Sequence, residues 1–274
     1  MIYSEFKELG HSFKWDIWLR EEKMDIGGGK ISRYDIDKLK SNEKYDKVMI
    51  SGLRQDTFEY FIAEYGASIK YVYFFKNKFI EDLSSLETCT NLVYVSFFHN
   101  QRAEKLWNMT KNVNLLGINI SDFTRLHYLN GVETAPNLQY LAFGDAIWNT
   151  SCLHDIDVLR SCKLKSFDFS GKAIENIDLQ IFADMPELEH LDFRTNLFTT
   201  EDIAHLIASR PELRGYALRP YVKFERNDDD DKDILIVGKR KPFLNSKKDE
   251  LKIKKYVMDF GNLITQYRSK LNVK

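Results

Sequence analysis

Asp168 and Asp192 stand 24 residues apart in two near-copies of one short pattern, "LKSFDF" (164–169) and "LEHLDF" (188–193). Carboxylates brought within about 5 Å of each other on adjacent strands could support acid–base chemistry, because their repulsion raises one pKa. A hydrolase built on that pair is one reading. Arg194 follows closely and favours the other, in which both are neighbours on a hydrated face. The histidines at 11, 99, 127, 154, 190 and 205 show no paired spacing. H-E-x-x-H, G-x-S-x-G, Walker-loop and dinucleotide patterns are all missing. Gly27–Gly29 lacks the spacing of a phosphate loop and reads as a turn. "RNDDDDKD" (226–233) lacks EF-hand spacing and reads as a solvated loop. Cys89, Cys152 and Cys162 cannot all pair and have no metal-ligand spacing, so they read as reduced core fillers. No enzymatic activity, metal or cofactor is expected.

The elements that must position these side chains recur. The pattern apolar-x-x-apolar-x-apolar occurs as "YDKVMI" (45–50), "IKYVYF" (69–74), "LVYVSF" (92–97), "LLGINI" (115–120), "LQYLAF" (138–143), "LKSFDF", "LEHLDF" and "LRGYAL" (213–218). Successive starts are 23 to 26 residues apart. Such a unit, a short strand and a return segment, cannot bury its apolar side alone and must stack on its neighbours.

These residues resemble the leucine-rich repeat, L-x-x-L-x-L-x-x-N/C-x-L, over residues 45–221. Asn holds the ninth position in three units (Asn77, Asn100, Asn196), while Leu53, Phe123, Ala146, Lys172 and Tyr221 replace it in the others. The resemblance implies an α/β fold: a right-handed leucine-rich-repeat solenoid, an arc of about eight repeats with a parallel inner sheet. An N-terminal cap (1–44), the solenoid (45–224) and a C-terminal cap (225–274) complete the expected organisation. Return segments 55–66 and 199–211 carry helical spacing, with Gly66 as a C-cap and Thr200 as an N-cap, whereas 101–111 suggests short 3₁₀ turns. "SFKWDIWL" alternates like a strand, Ser32 and Asp35 form a capping-box pattern, and residues 234–238 read as a final strand. From Ser246 onward an amphipathic basic helix is expected, bent near Gly261.

Strand side chains alternate, so the third, fifth and seventh positions of each unit form a display face on the concave side. Tyr71, Tyr73, Phe75, Tyr94, Phe98 and Tyr140 give it an aromatic region. Asp168, His190, Asp192, Arg194 and Arg219 give it a charged one. Exposed rings at adjacent positions would anchor a partner protein. A terminal segment folded over them is the competing reading. Leucine-rich-repeat proteins are chiefly protein binders, so the resemblance implies a non-catalytic interaction module, of an immunity or inhibitor type.

Formal net charge is −1, yet residues 239–274 hold 11 Lys/Arg against 3 Asp/Glu. A nucleic-acid or anionic-surface binder acting through that segment is the alternative; the overall balance argues against nucleic acid. No signal-peptide pattern or apolar run of membrane-spanning length occurs, so a monomeric cytoplasmic protein is expected.

Overall fold

In the first seven repeats the apolar-x-apolar triplet places its two outer side chains on one side of a strand, and that side becomes the core. A computed structural model describes residues 13–21, 29–42, 44–224 and 232–271. The strands are β1 (Ile17–Leu19), β2 (Lys47–Ile50), β3 (Tyr71–Phe75), β4 (Tyr94–Asn100), β5 (Gly117–Phe123), β6 (Tyr140–Gly144), β7 (Cys152–Leu153), β8 (Ser166–Ser170), β9 (Ala173–Ile174), β10 (His190–Phe193), β11 (Tyr221–Lys223), β12 (Ile234–Ile236) and β13 (Phe243–Leu244). The helices are α1 (Arg33–Asp37), α2 (Gln55–Tyr65), α3 (Thr200–Ser209) and α4 (Glu250–Leu271). An eight-stranded parallel sheet runs in the order β1-β2-β3-β4-β5-β6-β8-β10. The chain divides into two compact units: residues up to Ser166 with Gly171–Asn176, and Phe167–Ser170 with Ile177 onward.

In the first unit the repeat register is realised residue for residue. Val48, Val72, Val95, Ile118 and Leu141 lie side by side, as do Ile50, Phe74, Phe97, Ile120 and Phe143. All ten are buried. Helix α2 adds Phe58, Phe61, Ile62 and Tyr65 to the same core, and Phe74 stacks on Phe97 at 5.1 Å. Gly66 is the C-cap of α2 as expected, its N–H donating to Ile62 O, but it is right-handed and passes directly into a 3₁₀ turn. Further 3₁₀ turns occupy the returns at Ser84–Thr88, Val132–Thr134 and Asp157–Ser161, while 101–111 is irregular.

Asparagines close the turns. Asn77 donates to Ile50 O (2.9 Å) and accepts from Leu53 N (2.8 Å). Asn100 likewise donates to Ile80 O (2.8 Å) and accepts from Arg102 N and Ala103 N. Asn196 is exposed, so the ladder stops short of it. A second column precedes the strands: Asn91, Asn114 and Asn137 donate to Ala67 O, Thr90 O and Val113 O, each bond reaching back one repeat. The residue just after each repeat's display positions is left-handed in four consecutive units, Gly52, Lys76, His99 and Asp122. Only the first is glycine, so three side chains are held in a conformation that costs roughly 1–2 kcal/mol each.

The N-terminal segment supplies a strand the repeat pattern does not include. β1 pairs in parallel with β2, placing Trp18 beside Met49 on the display face. The expected alternation holds for Ile17 and Leu19 alone. Phe13 and Trp15 turn back over the display face instead. Ser32 and Asp35 form the expected capping box on α1, and bonds from Lys38 and Ser32 hold the Asp35 carboxyl down at about 2. Gly27, Gly28 and most of the acidic run lie outside the described residues.

In the second unit, α3 starts one residue earlier than expected, with Thr199 as N-cap in a box with Asp202. Arg210 at its end donates to Met185 O (2.8 Å) and Leu188 O (2.9 Å), closing the preceding turn. The eighth repeat is no strand. Pairing with β10 reaches only Arg214, and Tyr216–Leu218 coil into a 3₁₀ turn. The Asp192 carboxylate accepts the Tyr216 N–H at 2.8 Å and draws the chain out of register. β11, β12 and β13 then form an antiparallel sheet, in which the expected final strand is the centre. Helix α4 packs on it and on α3, unbroken through Gly261, with Tyr267 stacked on His205 at 4.7 Å.

Candidate functional site

The display face of the first unit is built from ring ladders. At the third position Tyr71 stacks on Tyr94 (5.8 Å, 13°), and Tyr94 on Tyr140 (6.4 Å). Tyr94 and Tyr140 sit two strands apart, a gap of about 9.6 Å between strand axes. Gly117 stands between them and lets the rings lean together. At the seventh position Phe75 stacks on Phe98 (5.4 Å, 14°). The next strand offers only Ser121 there, and Trp148, from the loop after β6, takes the vacancy over Phe98 at 6.3 Å.

Burial corrects the expectation of a fully displayed aromatic patch. Tyr73, Tyr94 and Phe98 retain 6%, 1% and 9% of their surface. Trp15 stacks on Tyr73 (6.0 Å), Phe13 on Tyr71 (5.8 Å), and Trp18 packs on the same group. These rings cover the slots as the competing reading supposes, because rings left in water would forfeit the burial of both sets. Burial and the facing Asp122 push the Tyr73 hydroxyl's pKa above the tyrosine range. Tyr71, Phe75 and Tyr140 stay half-buried and reach solvent at their edges.

What remains open is the rim at Trp148, 40% exposed beside the exposed Ile147. Its position is set from below. The Asp122 carboxylate, 1% exposed, accepts the backbone N–H groups of Ala146, Ile147 and Trp148 at 3.1–3.3 Å. His99 lies under the indole at 4.5 Å. Its Nδ1 is buried without a hydrogen-bond partner, and burial and then Lys78 lower its pKa. No sequence pattern singled out Trp148, His99 or Asp122. His99 and Asp122 share the left-handed backbone that follows the display positions; Trp148 does not.

The second unit carries the charged positions. Asp168, His190 and Arg194 are half-buried on or next to β8 and β10. Asp192 is buried, and its carboxylate accepts the Tyr216 N–H. Arg219 is exposed but follows the 3₁₀ turn, outside the strand array. No cluster of three or more His, Cys, Asp or Glu able to hold a metal occurs among the described residues. No described helix is long and apolar enough to cross a membrane.

No protein-family model matches the chain, and no curated protein matches it. Among solved structures, an internalin from Listeria monocytogenes aligns with 54% of this chain at 17% identity and a TM-score of 0.39. The alignment spans 47% of that chain, about half its length.

Proposed function

We propose that this protein is a non-catalytic, leucine-rich-repeat-type recognition module that binds another protein at the display-face rim of its first unit. Trp148 is the anchor, with Ile147 next to it in the chain and Phe75 beyond the Phe98 ring it covers. The observation that carries this reading is an exposed indole whose backbone is fixed by a buried carboxylate and whose ring rests on buried Phe98 and His99. A ring ordered before contact loses little entropy on binding, which is what makes aromatic anchors effective. In the second unit, Asp168, His190, Arg194 and Arg219 would steer a partner of mixed charge. Sequestration of one partner, as an immunity or inhibitor protein performs it, fits a chain whose display residues suit contact rather than turnover.

The test is affinity purification from the native host with wild-type chain and Trp148→Ala, followed by calorimetry of each captured protein with both. One partner should bind the wild type stoichiometrically and lose at least about 2 kcal/mol with Trp148→Ala, measured at a temperature where both chains are fully folded. Equal binding by both chains refutes the site.

A further inference from the structure

The C-terminal helix uses two stripes. Ile253, Tyr256 and Phe260 face inward, the first two against Ile234, Ile236 and Leu244. Glu250, Lys254, Val257 and Met258, spaced at helical intervals, line a groove of about 440 Å³ with Tyr221 and Lys223 of β11. A second hollow of about 510 Å³ adjoins it through the shared Tyr221, Lys223 and Val257, and extends to Tyr216 and Arg219. Met258 is 60% and Val257 40% exposed, so apolar surface on this helix stays in water.

One wall of the groove is an unfinished sheet. β11 is the edge of its three-stranded sheet. Phe224 N–H donates to Asp233 O, and Val237 N–H to Pro220 O. With Tyr221 opposite Ile236, this alternation turns the backbone groups of Tyr221 and Lys223 away from β12. An edge of that kind accepts an added strand. The rim is cationic: Lys223 and Lys254 flank the apolar floor, and Arg219 has no acidic partner among the described residues. Glu250 and Asp233 offset only the two lysines.

We propose that this groove is a second docking site, taking an extended segment of a partner protein that carries apolar and acidic side chains and pairs with β11. Apolar side chains fill the hollow over Val257 and Met258, and carboxylates face Arg219, Lys223 and Lys254. The apolar floor and the backbone edge favour a peptide over a nucleic acid or a lipid surface, which would use the cations alone.

Fluorescence anisotropy of the full chain with a short labelled peptide of alternating Val and Glu tests this. The peptide should bind. A Lys-for-Glu version and one N-methylated at alternate residues should not. Val257→Asp and Met258→Glu, both at exposed positions, should each weaken binding at least about tenfold at unchanged melting temperature. Arg219→Glu should weaken it and flatten its salt dependence. Failure of the peptide to bind, or binding untouched by the helix substitutions or by N-methylation, overturns the proposal. Binding of single-stranded DNA or phosphatidylserine vesicles with the peptide inert overturns it in favour of a polyanion surface.

Discussion

Removing the carboxylate of Asp122 separates two quantities that the structure superimposes on one residue. Asp122 is left-handed (φ 56°) and accepts three backbone N–H groups. Hydrogen bonds to a charged group contribute about 1.5–3 kcal/mol each, but these three share one carboxylate and water can reach the freed turn, so the joint loss should be about 3 kcal/mol. Asp122→Gly loses that much and keeps an unstrained backbone. Asp122→Ala loses it and adds roughly 1 kcal/mol of left-handed strain. Asp122→Asn keeps one acceptor oxygen and should fall between wild type and glycine.

All four tryptophans, at 15, 18, 107 and 148, lie in the first unit, so urea unfolding followed by their fluorescence reads the right transition. At ~2–4 °C per kcal/mol, the glycine variant should melt roughly 6–12 °C below wild type and the alanine variant a few degrees lower still. Emission should shift to the red before unfolding begins, as the released Trp148 loop takes its indole into water. Wild-type midpoints in either variant, or a glycine variant less stable than the alanine one, would refute the clamp.

Tyr73→Ala should lower stability by about 3–5 kcal/mol in the same assay, because its ring is core under Trp15; a change under 1 kcal/mol would mean the cover is not held. Gly215→Ala should cost about 2 kcal/mol or more in chemical denaturation, since an added Cβ would clash with the backbone oxygen of Leu191. His99 has a folded-state pKa below that of the free side chain, so the unfolded chain takes up the proton first. Its contribution is complete above about pH 6.5 and falls as the pH drops toward the folded value. Melting temperatures between pH 7 and pH 5 should therefore decline less in His99→Gln than in wild type; parallel declines would exclude the histidine as the cause. Burial pushes the thiol pKa of Cys89 and Cys162 up to about 12, so mass spectrometry of native protein treated with a thiol reagent at neutral pH should find Cys89 unmodified.

The register of β2 to β6 was written in the chain, because a period of two within each strand and a step of 23 to 26 residues between strands leave one way to bury Val72, Val95, Ile118 and Leu141 together. The capping box at Ser32 and Asp35 and the turn roles of Asn77 and Asn100 were equally local, since each needs only its own side chain and nearby backbone. The asparagines one residue before "LVYVSF", "LLGINI" and "LQYLAF" were legible by the same spacing. Three features lay beyond it. Nothing near Phe13 and Trp15 says which surface they cover, because that depends on rings Tyr71 and Tyr73 nearly sixty residues away. "LRGYAL" keeps the apolar pattern yet leaves the sheet, because the Asp192 side chain of the previous repeat takes the Tyr216 N–H. Trp148 found its place through a vacancy: Ser121 is too small to continue the Phe75–Phe98 stack, and only the assembled sheet reveals the gap an indole can fill. Periodicity determines which side chains turn inward; distant volumes and competing acceptors decide which outward ones remain for a partner to find.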